Sequence, residues 1–219
     1  LAENFIFNPD WTYSTDGIAE TTADNYYIAA SYDAGAWVVD GKIFETHIDD
    51  ARAASFGGGP DVTADVESSG FELGFSTTWD GGFFRAGYAN IDTEVNDRVA
   101  DSFTGNYLTI PMGEFITFQT AHRFNNGLLI GGDAQVALDY DDTFDFLGGS
   151  PTLSGYTVVN TFAEYTPPQM ENLRLRAEIN NLFDRQYAAR ATYGQDFPTE
   201  VEPLYEPGRS FRLSAELVF

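Results

Sequence analysis

The chain has 219 residues, with 34 acidic against 11 basic side chains, a formal net charge of −23, no cysteine and a single lysine, Lys42. So acidic a surface excludes nucleic acid as a partner, because phosphate binding needs basic side chains; the missing cysteine excludes disulfides, thiolate metal centres and cysteine nucleophiles. No apolar run is long enough for a membrane helix, yet the mean hydropathy of −0.25 is no argument for solubility, since an average hides strands that are apolar on one side only.

Residues 1–24 form a lead-in with little pattern beyond a short strand around Phe5–Phe7. From Asn25 the chain reads as hairpins. Strand 25–33 turns at Asp33-Ala34-Gly35 into strand 36–50, where Trp37, Val39, Gly41 and Ile43 share a face that Glu45 interrupts. Residues 51–66 are glycine-rich and acidic and lack the lysine of a phosphate loop, so they read as a plain connection. Strand 67–79 alternates cleanly, with Phe71, Leu73, Phe75, Thr77 and Trp79 opposite Glu72, Gly74, Ser76 and Thr78. Asp80-Gly81-Gly82 turns the chain into strand 83–92, with Phe84, Ala86 and Tyr88 outward and Arg85 and Gly87 inward. Connection 93–113 follows.

Strand 114–124 aligns Ile116, Phe118 and Phe124, and Asn125-Asn126-Gly127 is a strong hairpin signal. The next strand, 128–140, sets Leu128, Ile130, Ala134, Val136, Leu138 and Tyr140 against Asp133, Gln135 and Asp139. Connection 141–154 leads to strand 155–166, which Pro167-Pro168 stops because proline cannot donate to a ladder. Two closing strands, 172–189 and 207–219, flank connection 190–206. Short turns thus alternate strictly with long loops (51–66, 93–113, 141–154, 190–206). Together with 16% aromatic residues, many near strand ends (Trp79, Phe84, Phe124, Tyr140, Tyr156, Tyr165, Phe211, Phe219), this predicts an all-β, antiparallel transmembrane β-barrel with short turns on one rim and extracellular loops on the other.

Little in the chain points to chemistry. His47 and His122 could ligate iron or haem, but each lies within a predicted strand with no second ligand evident, so no metal site is assigned. Asp49-Asp50 and Asp141-Asp142 offer oxygens to calcium but stand in no calcium loop, and they read as solvated loop carboxylates. His47 beside Asp49 and Asp50 is the one hint of an outer-membrane protease; the expectation is that the chain is no enzyme and has no cofactor. Inward-facing Arg85, Asp133, Gln135, Arg174, Arg176, Glu178, Arg212 and Glu216 either pair with one another and with a plug or line a substrate path.

The end of the chain carries a resemblance. Asn180-Asn181-Leu182-Phe183-Asp184-Arg185-Gln186-Tyr187, then Pro207-Gly208-Arg209, then an alternating strand ending on Phe219, resembles the C-terminus of TonB-dependent outer-membrane receptors, where N-L-F-D-[KR]-x-Y lies in the penultimate strand and G-R opens the last. Asn8-Pro9-Asp10-Trp11 is similar to a segment that precedes a strand in many of them. The resemblance implies a C-terminal portion (1–219, nine or ten strands) of a barrel of about 22 strands, with the plug and energy-coupling box not in this chain. An open sheet edge is not tolerated in lipid, so further strands come from elsewhere, or the chain closes into a compact barrel with a structural or adhesive role.

The resemblance further implies an outer-membrane location in a Gram-negative bacterium. The function it implies is import of a scarce nutrient, a ferric siderophore or haem, with carbohydrate or cobalamin as alternatives. The implied partners are lipid and lipopolysaccharide, the TonB complex through the plug, the nutrient, and the barrel-assembly machinery through the strand ending at Phe219. Within loop 190–206, Tyr193, Gln195, Asp196 and Phe197 are the expected ligand contacts, in a Y-G-Q-D-F stretch similar to the haem-receptor branch.

Overall fold

A computed structural model describes residues 20–53, 62–98, 111–141, 152–190, 193–196 and 200–218. The strands are β1 (Thr22–Asp33), β2 (Trp37–Ala53), β3 (Val62–Trp79), β4 (Gly82–Val95), β5 (Gly113–Arg123), β6 (Leu128–Ala137), β7 (Tyr156–Tyr165), β8 (Leu173–Asn180), β9 (Tyr193–Asp196), β10 (Glu200–Pro203) and β11 (Ser210–Leu217). Nine of them make one antiparallel sheet in the order β1-β2-β3-β4-β5-β6-β7-β8-β11, and β9 with β10 forms a separate hairpin. Among the described residues the sheet is not closed: β1 and β11 each have a partner on one side only.

The turns are built by residues that accept left-handed backbone. Gly81 (φ 79°) and Gly127 (φ 85°) sit at two hairpin tips. Each also bonds the neighbouring hairpin: the Arg123 N–H donates to the Gly81 carbonyl (2.7 Å), and the Thr166 N–H to the Gly127 carbonyl (3.1 Å). A Cβ on Gly127 would collide with the Thr166 carbonyl, so glycine is needed there for space as well as for φ.

Register settles the two faces. Trp37, Val39, Gly41 and Ile43 of β2 pair with Thr77, Phe75, Leu73 and Phe71 of β3, which pair in turn with Phe84, Ala86, Tyr88 and Asn90 of β4. The interruption at Glu45 is therefore no change of phase. Glu45 and His47 simply continue the same face past the apolar band, next to Ser69 and Glu67. On β3 that band runs from Phe71 to Trp79, about 26 Å along the strand at the usual rise, which is the height a bilayer demands of a barrel. Its side chains are bare: Ile28 is 80% exposed, Ile43 68% and Leu213 83%. So broad an apolar face left uncovered is a surface made for lipid. Trp79, His122 and Phe124 finish it at the short-turn rim; the Trp79 indole donates to His122 Nδ1 (3.0 Å) and His122 meets the Phe124 ring edge-on at 4.6 Å.

Several boundaries differ from the sequence reading. β2, β3 and β4 run further into loops 51–66 and 93–113 than alternation indicated, because Ala51, Ala64, Val66 and Val95 pack a small cluster there on the inner face. β6 ends at Ala137, and Tyr140 makes only a bridge to Leu153. Tyr140 (7% exposed) and Tyr156 (5%) are buried, so neither belongs to a lipid-facing girdle. The predicted strand 172–189 stops at Asn180, and loop 190–206 contains the β9–β10 hairpin. The short strand expected around Phe5, and Phe219 itself, lie outside the described residues.

Candidate functional site

The inner face, opposite the apolar band, carries the charges. Glu164 on β7 is nearly buried (side chain 11% exposed) and faces Arg123 at 3.8 Å, Arg174 at 3.6 Å and Arg176 at 3.4 Å. Arg176 also binds Glu178 at 2.6 Å, Arg174 binds Glu216 at 3.2 Å, and the Arg176 guanidinium lies 4.0 Å over the Phe162 ring. Register creates this cluster, because Glu164 is opposite Arg176 and Arg174 is opposite Glu216. Lys42 pairs with Glu72 at 2.9 Å further round the sheet, and Arg85 stacks on Phe83. Among the described residues no ion pair is formed by Arg85 or Arg212, although register sets Arg212 opposite Glu178 and the same face also carries Asp40 and Asp133.

Glu164→Gln is expected to destabilise the folded protein by about 1–2 kcal/mol, since three guanidinium groups would lose the carboxylate between them; Arg123 and Arg174 are half exposed, so solvent screening keeps the effect below that of a fully buried pair. Urea unfolding of the detergent-folded protein measures it. A change under 0.5 kcal/mol would show that the cluster is held by backbone register alone.

The chain leaves β8 through the Asn180–Tyr187 segment. Asn181 (φ 51°) and Asp184 (φ 55°) are both left-handed, a conformation asparagine and aspartate tolerate better than other side chains. The buried Asn181 side chain accepts from the Arg185 N–H (2.8 Å) and donates to the carbonyls of Arg185 (2.8 Å) and Pro207 (3.3 Å). Asp184 Oδ1 accepts the Arg209 N–H at 2.8 Å. A Cβ on Gly208 would sit 2.9 Å from that same oxygen. The two halves of the C-terminal signature are thus one clasp, in which the turn after β8 grips the entry to β11.

The segment then climbs along β7. Tyr187 packs against Tyr156, with ring centroids 4.7 Å apart and the ring planes tilted by 36°. Burial, followed by the nearby Glu206 carboxylate, raises the Tyr187 phenol above its ordinary pKa. The Arg190 guanidinium, 3% exposed, donates to the carbonyls of Leu138, Leu153 and Ser154. It ties two chain segments outside the strands to this corner. The Glu206 N–H donates to the Tyr187 carbonyl (2.8 Å), which anchors the root of the β9–β10 hairpin. A cavity of about 230 Å³ opens there, lined by Gln186, Tyr187, Pro203 and Tyr205 among others.

Of the residues singled out for ligand contact, Tyr193, Gln195 and Asp196 lie in β9, opposite Pro203, Val201 and Glu200; Phe197 lies outside the described residues. The hairpin brings these three into one element, whose other strand supplies Pro203 to the lining of the Tyr187–Tyr205 cavity. Gln186 and Tyr187, read as part of an extended strand 172–189, instead line this cavity together with Tyr205 of loop 190–206. The left-handed asparagine and aspartate were the available signal.

A family model for the TonB-dependent receptor-like β-barrel matches residues 3–182. The chain belongs to the TonB-dependent receptor β-barrel family. The match ends inside the Asn180–Tyr187 segment, but similarity to the heme transporter BhuA of Brucella ovis runs over the whole chain, at 24% identity over 228 aligned positions. The metal-pseudopaline receptor CntO of Pseudomonas aeruginosa is 31% identical over 133 residues, 59% of this chain and 18% of its own length. In fold, the chain is similar to the FrpB iron transporter of Neisseria meningitidis (F5-1 variant), with a TM-score of 0.73, 21% identity, and coverage of 92% of this chain and 32% of that one. The chain therefore spans about a third of the length of BhuA (32%) and of this FrpB structure. The family places the apolar band against membrane and the Glu164–arginine face toward the barrel interior.

Proposed function

We propose that this chain is the C-terminal part of an outer-membrane TonB-dependent receptor of a Gram-negative bacterium, and that the receptor imports a scarce iron compound, haem or a ferric chelate, into the periplasm. Similarity to BhuA along the entire chain carries the reading, and the names of CntO and FrpB point the same way, toward metal and iron cargo. Both sheet edges are unpartnered among the described residues. Unpaired backbone groups are not tolerated in lipid, which supports further strands beyond these nine and speaks against a compact barrel. No covalent chemistry is required of it: the receptor binds, and inner-membrane proton-motive force relayed through TonB drives release past the plug.

In this reading Tyr193, Gln195 and Asp196 of β9, together with Phe197, touch the ligand at the extracellular end. The inner arginines then meet an anionic cargo that the acidic loops alone would repel. Deleting the gene is expected to abolish growth on haem, or on one ferric chelate, as sole iron source, and the pair of growth curves separates the two cargoes. Within the intact receptor, Tyr193→Ala with Phe197→Ala is expected to weaken binding of that cargo by tenfold or more at unchanged outer-membrane abundance. Unimpaired growth on both iron sources after deletion would overturn the iron assignment.

A further inference from the structure

We propose that Glu45, His47 and Glu67 form a site for a divalent first-row metal ion of the zinc class, on the outer face of the sheet just beyond the apolar band. One donor atom from each residue lies within 4.8 Å of the others. His47 Nε2 is 2.8 Å from Glu45 Oε1, and His47 Nδ1 is 3.6 Å from Glu67 Oε2. With metal–ligand bonds of about 2.0–2.1 Å, two donors of a tetrahedral site stand roughly 3.3 Å apart. An ion taking the place of the proton between Nε2 and Glu45 therefore needs these two atoms to part by about 0.5 Å, within reach of an exposed glutamate. Glu67 is then positioned to accept the remaining Nδ1–H, the arrangement that fixes tautomer and ring orientation in histidine–metal sites.

Two further observations point to a cation. Register puts Asp24, His47, Glu67 and Glu94 in one cross-strand row, with Glu67 directly opposite Glu94. Like charges so placed destabilise a sheet, and neither this row nor the adjacent Tyr26–Glu45–Ser69–Asp92 row contains a lysine or arginine. Beside His47, and lined by Glu67 but not by Glu45, there is also a cavity of about 170 Å³ whose other lining residues include Asp49, Asp65, Glu94 and Asp97, which adds further carboxylates to the same corner. The β-bulge between Ile48 and Ala51 shapes it; Asp50 there is left-handed (φ 52°), and its N–H donates to Asp65 Oδ1 at 3.0 Å.

An imidazole nitrogen among carboxylates selects zinc, nickel, cobalt or copper over magnesium or calcium. The site faces away from Lys42, Glu72 and the inner wall, so its ion is held rather than carried. It links β2 to β3 where they rise above the band. This assignment rests on strand geometry and stands or falls separately from the cargo.

The test uses the full-length receptor, folded in detergent, stripped by chelator and titrated with Zn²⁺ and, for its spectrum, Co²⁺. His47→Asn is expected to bind one equivalent of zinc fewer and to lose the imidazole signature from the cobalt spectrum, with unchanged circular dichroism. Glu67→Gln is expected to weaken the same equivalent about 10- to 100-fold. If His47→Asn does not fold, Glu45→Gln, at an exposed position, provides the same comparison of stoichiometry. An undiminished zinc count in these variants would overturn the site. So would displacement of the zinc by equimolar Ca²⁺, which would mark a generally acidic, oxygen-only surface.

Discussion

Asn181→Ala is expected to destabilise the folded receptor by about 2–4 kcal/mol, and to lower its yield in the outer membrane accordingly. The side chain is 3% exposed, and it satisfies the Arg185 N–H and carbonyl and the Pro207 carbonyl at once. Alanine would leave those groups without the partner that Asn181 supplies. It would also force a Cβ without a polar tip to hold φ 51°, at about 1–2 kcal/mol. Asn181→Gly separates the two contributions, since glycine accepts the backbone but cannot make the bonds; it is expected to recover roughly 1 kcal/mol and no more. Urea unfolding of the purified receptor, with gel mobility of the heated and unheated protein as a second readout, makes the measurement. An alanine variant within 0.5 kcal/mol of wild type would mean that the clasp is a consequence of strand pairing and not a contributor to it.

That clasp also shows where the sequence was legible and where it was not. Strand faces were readable because lipid on one side enforces a strict period of two. Phe71 to Trp79 and Phe84 to Tyr88 fell on the faces assigned to them. The motif Asn180–Tyr187 was readable as a family mark, but its shape was not. Leu182, Phe183 and Tyr187 made it look like strand, while two left-handed residues and long-range bonds to Arg209 and Pro207 in fact end β8.

The same limit applied to the candidate sites. His47 looked isolated because Asp49 and Asp50, the acidic groups noted beside it, make no ion pair with it among the described residues, whereas Glu67 reaches it across the sheet. Glu45, only two residues away, was read as a break in the pattern. Glu164 was not noticed at all, since nothing local tells that three arginines from β5 and β8 converge on it. Cross-strand partners are set by register, and register is fixed by turn length and by the burial of one face rather than by local composition.

Leu213→Arg is expected to be the sharpest probe of that buried face, because water and lipid predict opposite outcomes. Leu213 is 83% exposed in the isolated sheet and pairs with Ala177, which pairs in turn with Ala163; no packing is lost when it is replaced. In water such a substitution changes stability by about 0.5 kcal/mol at most. Against hydrocarbon it places a guanidinium near the level of the bilayer core, with an expected penalty of about 2–4 kcal/mol at the midplane and less toward either rim. Phe211 lies two residues nearer one end of β11, so Phe211→Arg is expected to differ measurably from Leu213→Arg, which reports the depth of each. Gln119→Arg supplies the opposite-face comparison: it points inward, exposed, between Arg85 and Asp133, and is expected to stay within about 0.5 kcal/mol of wild type. Unfolding in lipid vesicles measures all three. Equal, small effects from Leu213→Arg and Gln119→Arg would place water on both faces of the sheet and would remove the membrane from its description. A large effect at Leu213 alone fixes the apolar band as the lipid face, and with it the face of Glu164 and its arginines as the one turned away from lipid.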